Sequence, residues 1–347
     1  MSRPVIAVSL GCPSGIGPEV AVEAAAAARE AAIVLVGDRR VIERAAAIVG
    51  VARQRLVDVD RWSMGKLAGG RGASVVGVYA PAAVIALTRA PFGRPTREAG
   101  AAQLAWIDQA MDLVVAGAAR ALVTGPVSKS AIASSSRAAR AFRGHTEHLA
   151  ARCHAHEVVM AFWAKELTIA LVTTHLPISR VAKAVTAKGV AGAVYFTAAL
   201  VARLGKKKPR IVVTGLNPHA GEDGLLGTDE TRSIAPGIAL ARRRLARSRL
   251  LASVAGPIGA ETAVRHAHAG QYDAVVAMYH DQATIPMKLV GFGEAVNVTL
   301  GLPIIRTSVD HGTGYDIAGL GRADARGMKA AIELAVRLAR PSPRTPA

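Results

Sequence analysis

Short apolar runs alternate with alanine-rich helical segments along most of this 347-residue chain. VIAVSLG is followed by the helical segment GPEVAVEAAAAARE, and IVLVGD begins the next strand-like run. Alternation of this kind is typical of a parallel sheet with crossover helices. VVMAFWAKELTIALVTTH interrupts it, because two strand-like runs flank a short turn there. The sequence therefore predicts an α/β fold with a mostly parallel sheet and one antiparallel hairpin near residues 158–175.

Three of the strand-like runs end in a histidine. LTIALVTTH ends at His175, RIVVTGLNPH at His219 and DAVVAMYH at His280. Ligands of open α/β sheets bind outside the carboxyl ends of the strands. Three imidazoles there can share one divalent metal and leave coordination positions open for a substrate. An all-histidine set favours Zn²⁺ or Co²⁺, and Asp281 is a fourth ligand, an orienting carboxylate or a helix N-cap.

Charge, hydropathy and cysteine content disfavour a nucleic-acid-binding, membrane-spanning or disulfide-stabilised protein. The formal net charge is +18, but the excess is mostly arginine spread through alanine-rich helical stretches. No aromatic residues interleave with these charges, which favours a basic surface over a nucleic-acid site. No apolar stretch is long enough to span a bilayer, and the N-terminus lacks the pattern of a signal peptide. Cys12 and Cys153 provide no disulfide framework, so we expect a reducing cytoplasm.

A glycine-rich loop, GCPSGIG, follows the first apolar run. Its glycines fall at positions 11, 15 and 17, so it is not the GxGxxG dinucleotide motif, and no GxxxxGK[ST] motif occurs. Two interpretations remain open. The glycines make a tight strand-to-helix turn, or the free N–H groups at the helix start bind an anion. Within the loop we expect Cys12 to be a small buried residue.

Dense polar motifs follow later in the chain: GHTE, TTHLP, LNPHAGE, MYHDQ, GFGEAVNVTLGLP and RTSVDHGT. In this order they resemble the family of 4-hydroxythreonine-4-phosphate dehydrogenases. The similarity extends from GCPSGIGPE to DHGTGYDIAGLGRAD and so covers nearly the whole chain. Two departures are Cys12, where the family usually has an acidic residue, and Ala283, where it commonly has glycine.

The resemblance implies a homodimer with the metal site at the subunit interface. His175, His219 and His280 would bind a divalent metal (Zn, Co or Mg). The reaction would be NAD-dependent oxidation of 4-phosphooxy-L-threonine at C3, followed by decarboxylation to 3-amino-2-oxopropyl phosphate. Asp281 and Lys288 are the candidates for accepting the hydroxyl proton. The residues implied in substrate binding are His145, Thr146, Lys288, Asn297 and Arg306. Arg306 follows the apolar run LPII, which we interpret as a strand end.

HGTGYDIAGLGRAD also resembles the adenosine-binding loop of isocitrate and isopropylmalate dehydrogenases. This implies NAD contacts from His311, Gly312, Thr313 and Asp316, with Asp316 at the acidic position that holds the ribose diol. A carboxylate there would repel a 2′-phosphate, so we expect NAD to be preferred over NADP. The implied fold is a two-lobed α/β/α architecture with a cleft between the lobes. We expect one lobe from residues 1–135 plus 300–347, including a frayed tail PSPRTPA, and the other from 136–299.

Three alternatives remain. A paralogous dehydrogenase of 4-phosphothreonate or 4-phosphoerythronate would share the metal and phosphate residues. A non-catalytic, basic metal-binding or nucleic-acid-binding protein would use the positive charge and would not reduce NAD. A hydrolase that uses the three histidines without NAD would leave HGTGYDIAGLG unexplained.

Overall fold

The computed structural model describes residues 3–69, 75–80 and 84–340. The chain divides into two compact units, one reaching to His154 and resuming at Leu302–Arg340, the other spanning Ala155–Gly301. The predicted division after residue 135 lies earlier than the observed one, because Phe142 and Leu149 are buried in the core of the first unit. The predicted tail PSPRTPA lies outside the described residues.

The strands and helices follow the predicted alternation. The strands of the described residues are β1 Val5–Ser9, β2 Ala32–Val36, β3 Leu56–Asp58, β4 Val76–Tyr79, β5 Ala121–Thr124, β6 Val159–Trp163, β7 Thr168–Leu171, β8 Arg210–Thr214, β9 Ser253–Ile258, β10 Ala274–Ala277, β11 Val296–Leu300 and β12 Arg306–Val309. The α-helices are α1 Gly17–Ala27, α2 Arg39–Ile48, α3 Met64–Gly69, α4 Arg97–Val115, α5 Lys129–Ser135, α6 His145–Arg152, α7 Ile178–Ala184, α8 Ala187–Arg203, α9 Ala235–Arg247, α10 Ala260–His268, α11 His280–Val290 and α12 Arg326–Ala339.

The first unit contains a parallel sheet in the order β3-β4-β2-β1-β5-β12. Its central strands β1, β2 and β5 are buried along their whole length. Continuous apolar strands of this kind are expected where helices cover both faces of a parallel sheet. α1 begins with proline in its first turn, where the missing N–H needs no partner.

The second unit contains strands in the order β11-β6-β7-β10-β8-β9. β6 and β7 form the predicted antiparallel hairpin, in which Ala161 pairs with Ala170 and Trp163 with Thr168. β11 also pairs with β6 in the antiparallel sense, whereas β7, β10, β8 and β9 run parallel. The prediction of a mostly parallel sheet with one antiparallel hairpin is thus confirmed, and β11 is a further antiparallel strand that the sequence analysis missed.

Across the described residues, no single helix is long and apolar enough to cross a membrane. One pair of helices, α7 and α8, meets the criteria of length and composition only when taken together, and it is bent by 87°.

Candidate functional site

The three predicted histidines follow three adjacent parallel strands of the second unit. β10 lies between β7 and β8, and pairs Val275 with Ile169 and Ala274 with Ile211. His175 follows β7, the Pro218–Gly224 turn that contains His219 follows β8, and His280 begins α11 directly after β10. The carboxyl ends of neighbouring parallel strands meet at one edge of a sheet, which is where such sheets bind ligands.

His175 and His280 form a close pair at this edge. Their ring centroids are 5.6 Å apart and the ring planes are inclined by 44°. Two imidazoles that share a tetrahedral zinc ion at about 2.1 Å have centroids roughly 5 Å apart, so the pair fits a shared ion. Asp281 Oδ1 lies 2.7 Å from His280 Nδ1. That contact orients the ring and leaves the other nitrogen for a metal, as carboxylates commonly do beside ligating histidines.

His219 does not complete a three-residue cluster within one copy of the chain. Among residues 3–69, 75–80 and 84–340, no group of three or more His, Cys, Asp or Glu side chains is placed to hold a metal ion. His219 is exposed and lies near the first turn of α10. The pKa of Glu261, in that turn, is lowered mainly by the hydrogen bond from Thr262 and to a smaller extent by the nearby His219. The three-histidine site therefore stays a prediction.

Two polar side chains bind the strand ends together, and the sequence analysis named neither. Thr173 donates from Oγ1 to the carbonyl of Met278 at 2.7 Å and so connects the segments that follow β7 and β10. Gln282 accepts from the amide of Met278 at 2.8 Å and donates to the carbonyl of Gly215 at 3.0 Å. The only sequence signal for this role of Gln282 was its place in the motif MYHDQ, two residues after His280. Its partner Gly215 is distant in the sequence, so the contact could not be predicted.

The first unit carries three of the predicted substrate-binding residues. His145 and Thr146 begin α6, directly after Gly144. Arg306 is 3% exposed and begins β12, with its guanidinium 2.7 Å from Thr124 Oγ1. The interpretation of LPII as a strand that ends at Arg306 is wrong, because residues 301–304 form a bend and Arg306 is the first residue of a strand.

The electrostatics of this group follow from burial. Burial lowers the pKa of Arg306 to about 10, although Glu147 opposes the shift. Burial, together with the positive charge of Arg306, holds the pKa of His145 well below its usual range, so the imidazole is neutral at neutral pH. Its Nε2 is shielded from solvent and has no hydrogen-bond partner among the described residues. A neutral imidazole beside a buried guanidinium can donate a hydrogen bond to an anion.

The other two predicted substrate-binding residues belong to the second unit. Lys288 lies on α11, the helix that His280 begins, and is exposed. Asn297 is a half-buried residue of β11, where it pairs with Phe162.

The predicted NAD loop packs against the glycine-rich loop of the first unit. The amide of Ile16 donates to the carbonyl of Thr313 at 2.9 Å. A Cβ added at Gly15 would lie only 2.4 Å from that same carbonyl oxygen. The amides of Cys12 and Gly15 also donate within the protein, to Pro126 and Cys12. Of the two interpretations of GCPSGIG, this favours a tight packing turn over an anion site, since these donors are already used.

Two buried side chains contact the predicted NAD loop. Cys12 is fully buried, burial raises the pKa of its thiol, and its Sγ lies 3.4 Å from the hydroxyl of Tyr315. Burial also raises the pKa of Tyr315 to about 12. Glu19 is 1% exposed and accepts from the amide of Gly319 at 2.7 Å. Asp316, the predicted ribose ligand, is exposed. The expectation that Cys12 is a buried filler is confirmed, and Glu19 is a residue that the sequence analysis missed.

Comparisons with known proteins agree over nearly the full length. The family of the pyridoxal phosphate biosynthetic protein PdxA matches residues 29–335. A 4-hydroxythreonine-4-phosphate dehydrogenase of Desulfosudis oleivorans is 41% identical over 345 residues, which is 96% of each protein.

Two further relatives bear on the fold and on the substrate. The crystal structure of 4-hydroxythreonine-4-phosphate dehydrogenase from Klebsiella pneumoniae is 34% identical with a TM-score of 0.82, covering 97% of this chain and 100% of that one. A protein of Symbiobacterium thermophilum, provisionally named D-threonate 4-phosphate dehydrogenase, is 36% identical over 97% of each chain.

Proposed function

Since this chain belongs to the family of the pyridoxal phosphate biosynthetic protein PdxA, we propose that it oxidises 4-phosphooxy-L-threonine at C3 with NAD. The β-keto acid then loses carbon dioxide and yields 3-amino-2-oxopropyl phosphate for pyridoxal phosphate biosynthesis. The observation that carries the proposal is the full-length similarity to a named 4-hydroxythreonine-4-phosphate dehydrogenase. The pair of His175 and His280 at the strand ends of the second unit supports it, because the reaction needs a metal-binding centre.

His175, His219 and His280 would hold the divalent metal. A bound Zn²⁺, Co²⁺ or Mg²⁺ supplies Lewis acidity, which lowers the pKa of the substrate hydroxyl and favours the loss of carbon dioxide from the keto acid. Asp281 lies 2.7 Å from His280, and this contact supports a role of the carboxylate in orienting the imidazole. Asp281 and Lys288, both on this helix, are the candidates for accepting the hydroxyl proton.

The residues that would contact the phosphorylated substrate are His145, Thr146, Lys288, Asn297 and Arg306. The buried Arg306 supports this assignment, because a guanidinium in a poorly solvated position gains from a dianionic ligand. The neutral His145 adds a donor that brings no further positive charge. His311, Gly312, Thr313 and Asp316 would contact NAD, with the exposed Asp316 carboxylate on the ribose diol.

A homodimer with the metal site at its interface is part of the proposal, and a second copy of this chain is the partner that we infer. Large apolar side chains are exposed along α11 and just beyond it, where Ile285 is 60%, Leu289 81% and Phe292 78% exposed. Ile178, 73% exposed, follows His175, and Leu225, 80% exposed, follows His219. Exposed large apolar side chains after three neighbouring strands are what a subunit interface would cover. The two free cysteines are consistent with the cytoplasm.

One experiment tests the activity and its metal. Purified protein is mixed with NAD, Zn²⁺, Co²⁺ or Mg²⁺, and 4-phosphooxy-L-threonine, and the absorbance of NADH is followed. We expect turnover that a chelator abolishes and that added metal restores. His219→Ala should lose metal occupancy while far-ultraviolet circular dichroism stays unchanged. Turnover that survives complete removal of metal would contradict the proposal.

A second candidate substrate is D-threonate 4-phosphate, and the relative from Symbiobacterium thermophilum favours it. It carries the same phosphate but has a hydroxyl where 4-phosphooxy-L-threonine has an amine. The same assay with D-threonate 4-phosphate separates the two, because the enzyme should show the higher kcat/KM for its own substrate. A higher value for D-threonate 4-phosphate would move the assignment to this second candidate.

A further inference from the structure

The turn that carries His219 has a left-handed backbone. His219 has φ 51°, Ala220 55°, Gly221 82°, Glu222 44° and Asp223 53°. Residues other than glycine lose roughly 1–2 kcal/mol each in this conformation, and only one of the five is glycine. A run of this kind persists only where the surrounding structure holds it in place.

The buried carboxylate of Glu230 holds the entry to this turn. Glu230 is 4% exposed, and its Oε1 accepts from the amides of Leu216 and Asn217, each at 2.8 Å. Its Oε2 accepts from Asn217 Nδ2 at 2.9 Å. Burial alone would raise the pKa of Glu230, but the hydrogen bonds from Asn217 and Leu216 outweigh it and lower the pKa, so the carboxylate remains charged.

The backbone packs closely around Glu230 and Asn217. A Cβ at Gly221 would lie 2.6 Å from Glu230 Oε2, and a Cβ at Gly227 would lie 2.4 Å from Asn217 Nδ2. Two backbone hydrogen bonds close the turn. The amide of Ala220 donates to the carbonyl of Asn217, and the amide of Leu226 donates to the carbonyl of Gly221. The carboxylate therefore fills the concave side of the segment from Leu216 to Gly227.

We propose that Glu230 is a positioning residue, whose carboxylate holds residues 216 and 217 and thereby keeps residues 219–223 in the left-handed turn that presents His219 to the metal. The part of this inference that concerns metal binding rests on the proposed function, whereas the part that concerns the conformation of the turn does not. Glu230 is not assigned as a ligand, because both of its oxygens are occupied by donors of the turn. Loss of the carboxylate should free the turn and weaken metal binding without touching His175 or His280.

The test compares Glu230→Ala and Glu230→Gln with the control Asp223→Asn. Gln keeps one oxygen for the two backbone amides but turns an NH₂ group toward Asn217 Nδ2, so it should rescue only in part. Asp223 is exposed, and asparagine tolerates its left-handed conformation. The first readout is amide hydrogen exchange of a peptide covering residues 215–227 in the metal-free full-length protein. The second is titration with Co²⁺ alone, followed by its visible absorption.

In Glu230→Ala we expect exchange in this peptide to rise at least about tenfold and Co²⁺ affinity to fall about 10- to 100-fold. Glu230→Gln should lie between wild type and Ala, and Asp223→Asn should match wild type. Unchanged exchange in both Glu230 variants would overturn the proposal, as would faster exchange with an unchanged Co²⁺ spectrum and affinity. Should Ala prevent folding, Glu230→Gln decides alone. If wild type binds no Co²⁺, the proposed metal function fails, whereas the exchange result still decides whether Glu230 holds the turn.

Discussion

Gln282 donates a 3.0 Å hydrogen bond to the carbonyl of Gly215 and so connects the segment after β8 to the helix that begins with His280. The oxygen of the same side chain accepts from the amide of Met278 at 2.8 Å and from Thr214 Oγ1 at 3.1 Å. One amide group thus relates two strand ends that each lead to a predicted metal-binding histidine.

Replacing Gln282 with methionine should destabilise the protein and lower metal affinity. The variant keeps the volume but leaves the amide of Met278, the carbonyl of Gly215 and Thr214 Oγ1 without this partner. A buried polar group left unsatisfied costs about 1–3 kcal/mol. Urea unfolding measures the loss, and Gln271→Met, at an exposed glutamine, is the matched control. Equal stability of the two variants would mean that the connection contributes nothing.

Gly15→Ala should disturb the contact between the glycine-rich loop and the NAD loop. The new Cβ would lie 2.4 Å from the carbonyl oxygen of Thr313, which forces one backbone to move. We expect a loss of about 1–3 kcal/mol in the free energy of unfolding and a raised KM for NAD, with the KM for substrate less affected. Gly65→Ala is the control, because its Cβ would meet open space in α3 and should be neutral or stabilising. A KM for NAD that stays at the wild-type value would mean that the contact between the two loops does not affect NAD binding.

The half-buried His145, whose Nε2 is shielded from solvent, predicts a specific loss of stability in acid. Its pKa is well below the ordinary value of 6.5 in the folded protein, through burial and the charge of Arg306. The unfolded chain therefore binds the proton first, and stability falls as pH drops below about 6.5, with a slope of up to about 1.4 kcal/mol per pH unit. His145→Gln should lack this component, so its stability should depend less on pH between about pH 7.5 and pH 5. Urea unfolding across that range checks it, with His268→Gln as the exposed control, and parallel curves for wild type and His145→Gln would refute it.

Asp316→Asn should weaken the preference for NAD. The exposed carboxylate would bind the ribose diol and repel a 2′-phosphate, so its loss should lower kcat/KM with NAD and raise it with NADP. We expect the ratio of the two values to fall by about one order of magnitude, equivalent to about 1.4 kcal/mol. Steady-state kinetics with both cofactors measure the ratio, and Asp223→Asn serves as the surface control. A wild-type enzyme that already uses NADP as well as NAD would remove Asp316 from this role.

Features set by nearby residues were predictable. The runs of valine and isoleucine predicted β7, β8 and β10, the turn after Trp163 predicted the hairpin, and the histidine after each of three runs predicted where polar groups would gather. The sequence did not indicate which of the three histidines lie closest together. The close approach of His175 to His280 depends on β7 and β10 being neighbours in the sheet.

The sequence by itself determined the type and order of the elements, because the period of apolar residues depends on the local backbone alone. Only the tertiary structure decided that Gln282 contacts Gly215, that Glu19 accepts from Gly319 and that Glu230 accepts from the segment before the left-handed turn at His219. It also decided that Arg306 opens a buried strand. The physical reason is that a hydrogen bond between distant segments leaves no periodic trace, since it depends on atoms that only folding brings within about 3 Å.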